Sequence, residues 1–195
     1  VPRGLRGALL VVTLLVFGQL VLGATMRHQH AGLAVPDFPL AYGTIWPSTT
    51  DSFLEKINRE RIDVLDPNPI TAFQIHLHMT HRVGALITLI LVAGLAWRVR
   101  SSTGVLAMIR RWVMGWIGII VIQAALGVFT VLSNKAADVA TAHVMIGAVS
   151  LVVGVLLYVI SLRLCSTIRG VTVVWNSRID KLPAMAEVNV TLNPL

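Results

Sequence analysis

Four apolar runs constrain this chain more than any other feature. They fall at about residues 5–24, 71–97, 111–132 and 136–164. Each reaches the length of roughly 20 residues that an α-helix needs to cross a bilayer, and in hydrocarbon only helices and closed barrels satisfy their own backbone. The chain has 195 residues, 55% of them hydrophobic and 13% charged, with mean hydropathy +0.78. A soluble domain of this length is far more polar. The expected fold is therefore an all-α integral membrane protein: a four-transmembrane-helix bundle forming one domain over residues 1–165, followed by a tail over 166–195.

The first and second runs are joined by a long connection, residues 25–70. Pro36, Pro39, Pro47, Pro67 and Pro69 prevent it from forming one helix. Its middle part, Ser52–Leu65, interleaves Phe53, Leu54, Ile57, Ile62, Val64 and Leu65 with charged residues. That pattern predicts a short amphipathic helix, capped by Asp51 or Ser52, which lies on the membrane surface or caps the bundle.

The net charge of +7 and pI near 10.8 do not point to nucleic acid, because the basic residues sit in the connections between apolar runs. Arg3 and Arg6, then Arg98, Arg100, Arg110 and Arg111, then Arg163, Arg169, Arg178 and Lys181 all fall on one side of a four-span arrangement. The other side balances Arg27, Lys56, Arg59, Arg61 and Lys135 with seven acids. The positive-inside rule then predicts a multi-pass protein with both termini and the tail cytoplasmic and the long connection outside; the membrane expected is the cell's plasma (inner) membrane. The single cysteine, Cys165, excludes an internal disulfide and any cysteine-based metal spacing. The first run is long enough to span and is expected to be kept, not cleaved as a signal peptide.

Ionisable groups within apolar spans mark function. The second run opens on QIHLHMTHRVGAL, residues 74–86, with His76, His78, His81 and Arg82; the fourth carries His143. His81 lies about 17 residues, or roughly 25 Å, from the cytoplasmic end of its helix, and His143 about 20 residues, or roughly 30 Å, from the end of its own. The two imidazoles share a level in the outer part of the bilayer. Zinc is poorly supplied here, having no cysteine or intramembrane carboxylate. Heme iron needs only two axial ligands, and a helix bundle can hold the porphyrin between them. A lone intramembrane histidine also serves as an interhelical hydrogen bond. His78, three residues before His81, lies on a neighbouring face and can approach the same pocket, whereas His76 points away toward the outer connection. Arg82 needs an anionic partner, either a heme propionate or an acid such as Asp37. Gly84 and Gly147 permit close approach of a macrocycle or a helix.

Two further patterns stand out. Gln19 and Gln123 each precede a glycine, Gly23 and Gly127, by four residues, and His81 and His143 are each followed by Gly-Ala. The runs thus resemble two related pairs, and internal repeats place a site at their interface. Small residues that pack helices explain the Gln-Gly match by itself. The segment GATMRHQHAGLAVPDFPLAYG, residues 23–43, carries Arg27, His28, His30 and Asp37 between turn-forming Gly32 and Gly43, with Pro36 and Pro39 stiffening it. It suits either recognition of an anionic, apolar ligand or a structural lid.

This segment, the His81-Arg82 pair and the single histidine of the fourth run resemble the heme A synthase family of the cytochrome oxidase assembly pathway, over roughly Leu14–Leu164. The resemblance implies eight transmembrane helices in two similar four-helix halves, each with a histidine pair. One half holds heme b. The other takes heme O from heme O synthase and oxidises its methyl group, through an alcohol, toward the formyl of heme A. His81 and His143 would be axial iron ligands, with Arg82, His78, Arg27 and His28 around the heme. Two departures bear on which half this is. The catalytic half of the family carries a glutamate three residues before the helix-2 histidine, where this chain has His78. The cysteines that flank the loop in many bacterial members are replaced by Val35 and by Ala41 or Tyr42. Both departures imply the C-terminal, cofactor-binding half, with Val1 following a missing N-terminal half; a four-helix form working as a homo-oligomer is the other arrangement. The alternative function is a b-type cytochrome that transfers electrons or carries heme without hydroxylating it, and a third is a heme-free four-helix scaffold.

Overall fold

The computed structural model describes residues 3–60, 68–104 and 106–179, with side chains up to Leu164 in the last helix. Its elements are α1 (Arg3–His28), a 3-10 turn (Ala31–Leu33), α2 (Asp51–Glu60), α3 (Ala72–Val99), α4 (Leu106–Leu132) and α5 (Ala137–Ile179). Four of these, α1, α3, α4 and the Ala137–Leu164 part of α5, are long and apolar enough to cross a membrane. The expected all-helical, four-span architecture is observed, and among the described residues there is no strand beyond an isolated bridge between Ala41 and Thr44.

The helices pack in a ring: α1 on α3, α3 on α4, α4 on α5, and α5 back on α1. Neighbours run antiparallel, so α1 and α4 stand diagonally opposite, as do α3 and α5. The buried core occupies one end of this ring. There Leu5, Leu9, Val12 and Val16 of α1 meet Val92, Leu95 and Val99 of α3, Ile109, Val113, Trp116 and Ile120 of α4, and Leu157 of α5. Trp116 is fully buried; its indole N–H donates to the carbonyl and hydroxyl of Ser150 at 2.9 and 3.0 Å. Gly154 makes room for it, since a methyl there would lie 2.7 Å from the Trp116 ring and 2.8 Å from the Thr13 hydroxyl. Outward-facing Leu14, Phe17, Leu86, Ile90, Val121, Ile122, Val152 and Val155 remain exposed, as lipid-facing residues of a membrane bundle do.

Several helix ends differ from the expected bounds. The expected first span is 5–24, yet α1 continues to His28, since no proline breaks the helix there; the Thr25 hydroxyl returns to the Val21 carbonyl at 2.9 Å. The helix ends where His30 adopts φ 55°. Thr25–His28 are therefore the last helical turn and not loop. The third span begins at Leu106, placing Arg110 and Arg111 on α4. The fourth span, Ala137–Leu164, agrees with the expected bounds, while α5 runs on as helix to Ile179, since no proline interrupts the first part of the tail; the remainder of the tail, 180–195, lies outside the described residues. The turn from α4 to α5 uses two left-handed residues, Asn134 (φ 53°) and Lys135 (φ 64°).

The amphipathic helix is present as α2, its further expected part to Leu65 falling in the undescribed 61–67. Its first bond runs from Leu54 N–H to the Thr50 carbonyl at 2.9 Å, so Asp51 and Ser52 form its first turn and do not cap it. Its apolar face turns inward: Ile57, with Phe53 and Leu54, packs on Ala34, Val35, Ala41, Ile75 and Met79. It caps the bundle. Asn58 bonds both the N–H and the carbonyl of Ile70, at 2.7 and 2.9 Å, fixing the entry to α3. There Thr71 and Gln74 form a capping box, and the Gln74 amide reaches the Gln29 carbonyl at 2.7 Å, joining the ends of the long connection.

Candidate functional site

The end of the ring opposite the apolar core is lined differently. Here α1 offers Gln19 and Gly23, α3 offers His81 and Gly84, α4 offers Gln123 and Gly127, and α5 offers His143 and Gly147. Two matching contacts result. The His81 ring lies over Gly23, its Cε1 3.6 Å from the position a methyl would take, and the His143 ring lies over Gly127 at 3.0 Å. The Gln19 amide occupies the space a methyl on Gly84 would need, and the Gln123 amide does the same at Gly147, at 2.9 Å. The α1–α3 pair and the α4–α5 pair thus repeat one histidine-on-glycine, glutamine-on-glycine design about an axis along the bundle.

The histidines come from diagonally opposed α3 and α5. His143 Nδ1 is 3.0 Å from the Gln123 carbonyl. A carbonyl only accepts, so Nδ1 carries the proton and Nε2 keeps its lone pair. Ligating histidines take this form, the distal N–H tied to a backbone carbonyl. The Gln123 side-chain amide stands 3.5 Å from that Nε2. Three buried polar atoms in this region have no hydrogen-bond partner: Gln19 Oε1, Gln123 Oε1 and His81 Nδ1. Unpaired buried polar atoms are unfavourable. Concentrated at one level around two imidazoles, they fit a site whose donor set is completed by a bound group. Two imidazoles carried on opposite helices can ligate one metal between them, which suits an iron porphyrin.

The other expected site residues are placed as follows. His78 is buried, and its Nδ1 donates to the Ala31 carbonyl at 3.1 Å; it anchors the 3-10 turn. Arg82 donates to three backbone carbonyls, those of Leu40 (3.0 Å), Val35 (3.0 Å) and Asp37 (2.7 Å), with its guanidinium 5.8 Å from the centre of the Phe38 ring; the Asp37 charge lies close enough to act on it without a direct carboxylate bond. Asp37 turns its carboxylate to the Tyr42 and Gly43 amides at 2.8 and 3.0 Å. Partial burial raises the Asp37 pKa, but these amides and the nearby Arg82 charge outweigh it, and the carboxyl lies below its usual range. Tyr42 donates its hydroxyl to the Ala34 carbonyl at 2.8 Å. Arg27 and His28 are exposed in the last turn of α1, where positive charge favours the helix dipole. His76 meets the outer connection, 3.5 Å from the Thr49 hydroxyl and 6.3 Å between ring centres from Trp46.

Gln19 and Gln123 were not among the expected site residues. Their signal was the shared Gln-x-x-x-Gly spacing, which helix packing alone accounted for; what it lacked was the order of helices that sets each amide beside a histidine.

A family model described as COX15-CtaA, cytochrome oxidase assembly protein, matches residues 1–155. The chain is also similar to the heme A synthase of Halalkalibacterium halodurans, with 27% identity over 161 residues, 82% of this chain and 46% of that protein. It therefore spans about half the length of this relative.

Proposed function

Starting from the chain's membership of the COX15-CtaA family of cytochrome oxidase assembly proteins, we propose that it is a four-helix, heme-holding part of a heme A synthase-type membrane oxidoreductase. In this reading His81 and His143 would hold the heme iron. The observation that carries it is the diagonal pairing of these histidines, with Nδ1 of His143 tied to a carbonyl and three unpartnered polar atoms around them. The similarity to a heme A synthase of about twice the length supports heme as cofactor, or heme O and heme A as substrate and product, with the rest of the enzyme supplied by another four-helix half or a second copy. When bound, the heme iron supplies one-electron chemistry. The protein's own contribution is positional: α3 and α5 present the two imidazoles, the glycines beneath them allow close helix approach, and the loop held by Arg82 closes the outer end. The basic clusters favour cytoplasmic termini in the plasma membrane, with the loop outside.

A second reading, a b-type cytochrome that transfers electrons or carries heme, is favoured by one observation. His78, at the position where the resemblance would put a catalytic carboxylate, is buried and bonded to Ala31, engaged in holding the loop.

Purified protein loaded with heme is expected to show a low-spin, six-coordinate spectrum that is lost in His81→Ala and in His143→Ala. Spectra unchanged in both variants would exclude this ligand pair. Formation of hydroxylated or formyl heme on co-expression with a heme O source separates the synthase reading from the cytochrome reading.

A further inference from the structure

The two halves of the site are alike in plan and unlike in one bond. In the α4–α5 half, His143 Nδ1 donates to the Gln123 carbonyl at 3.0 Å, which fixes the tautomer without the Gln123 side chain. In the α1–α3 half, His81 Nδ1 is buried without a partner. The residue standing to His81 as Gln123 stands to His143 is Gln19. It lies four residues before the glycine under the ring, and its amide rests on Gly84 one helical turn along α3. Gln19 Oε1 is itself buried with no donor. A donor without an acceptor and an acceptor without a donor thus occupy the same helix contact.

From this we infer that Gln19 is the positioning residue of His81: the two atoms are unbonded here, and when the site is filled the Gln19 side-chain oxygen accepts the Nδ1–H through a turn of the amide or one intervening water, leaving Nε2 free to ligate. The inference rests on the heme reading above. It has a further consequence: the two ligands are oriented by different means, His143 by main chain and His81 by a side chain. A side chain can be exchanged by mutation, so the His81 end of the site is the tunable one. A second-layer acceptor of this kind typically accounts for roughly 10- to 100-fold in metal affinity.

The test compares Gln19→Leu, Gln19→Glu and Gln123→Leu in the full chain, each titrated with hemin after purification without heme. The low-spin spectrum and reduction potential are recorded alongside. Gln19→Leu is expected to weaken heme binding by roughly 10-fold or more and to diminish the low-spin signal. Gln19→Glu restores an acceptor and is expected to recover affinity, with a potential lower than wild type because a carboxylate makes the ligand more electron-donating. Gln123→Leu keeps the main-chain bond to His143 and is expected to show the smaller loss. If the glutamines only pack on glycine, the two leucine variants lose equally and glutamate at 19 does not rescue; that result overturns the proposal while leaving the heme reading standing. Wild-type protein that takes up no heme, or whose bound heme is indifferent to His81→Ala, overturns both.

Discussion

Arg82 donates to the main-chain carbonyl of Asp37 at 2.7 Å, while the Asp37 carboxylate turns the other way, to the amides of Tyr42 and Gly43. The two opposite charges therefore do not form a simple pair. Each one organises backbone: the guanidinium gathers three carbonyls, and the carboxylate gathers two amides on the far side of the same turn.

The first prediction concerns this turn. Arg82→Ala removes three charge-assisted bonds and leaves carbonyls at Val35 and Asp37 partly buried. Discounted for the half-exposed position, the expected loss is roughly 2 kcal/mol of local stability, about 30-fold in the opening equilibrium. Hydrogen exchange across residues 31–46 should show it, with the four spans unaffected. Arg82→Lys keeps the charge but not the planar fork and is expected to recover only part of the protection. Unaltered exchange in the alanine variant would mean that the guanidinium does not hold the loop.

Acid should loosen the same segment. The Asp37 pKa is lower in the folded protein than its ordinary value of 3.8. Its contribution is therefore complete above that value and disappears as pH falls through the lower folded-state value. Pepsin cleavage within 31–46 is expected to accelerate as pH falls below 3.8, beyond the protease's own pH profile. Asp37→Asn should flatten that dependence, and the same slope in both proteins would contradict the assignment.

The glycines beneath the two histidines are not equivalent. A methyl on Gly127 would lie 3.0 Å from Cε1 of His143, whereas one on Gly23 would lie 3.6 Å from Cε1 of His81, an ordinary contact. Gly127→Ala is expected to push the His143 ring aside and alter the heme spectrum, with roughly 1 kcal/mol or more of strain. Gly23→Ala is expected to leave the spectrum nearly unchanged. Equal effects from both, measured by absorbance and thermal melting, would refute the difference in packing.

The spans were legible because an apolar run of 20 or more residues leaves few alternatives to a membrane helix. Their ends were less so. No glycine or proline stops α1; the stop is His30 in a left-handed conformation, a choice enforced by the loop that follows. His78 shows the same limit. Helical phase set it on a face neighbouring His81, but its partner is the carbonyl of Ala31, whose position depends on how the long connection folds back. Arg82 was legible as a charge requiring partners, not as a donor to three carbonyls, since main-chain acceptors leave no mark in composition. Gln19 and Gln123 were visible as a repeated spacing and became informative only once the ring order placed each beside a histidine.

The apolar core lies at one end of the ring, and this gives the bundle the mechanics of a pair of tongs. Trp116, locked to Ser150 and fitted against Gly154, acts as the rivet. Gln123 lies about 10 Å farther along α4 at 1.5 Å per residue. Over such a lever arm a tilt of about 6° opens the jaws by about 1 Å. A small tilt beyond Trp116 thus changes the spacing of α3 and α5 at the level of the histidines while the riveted end stays closed.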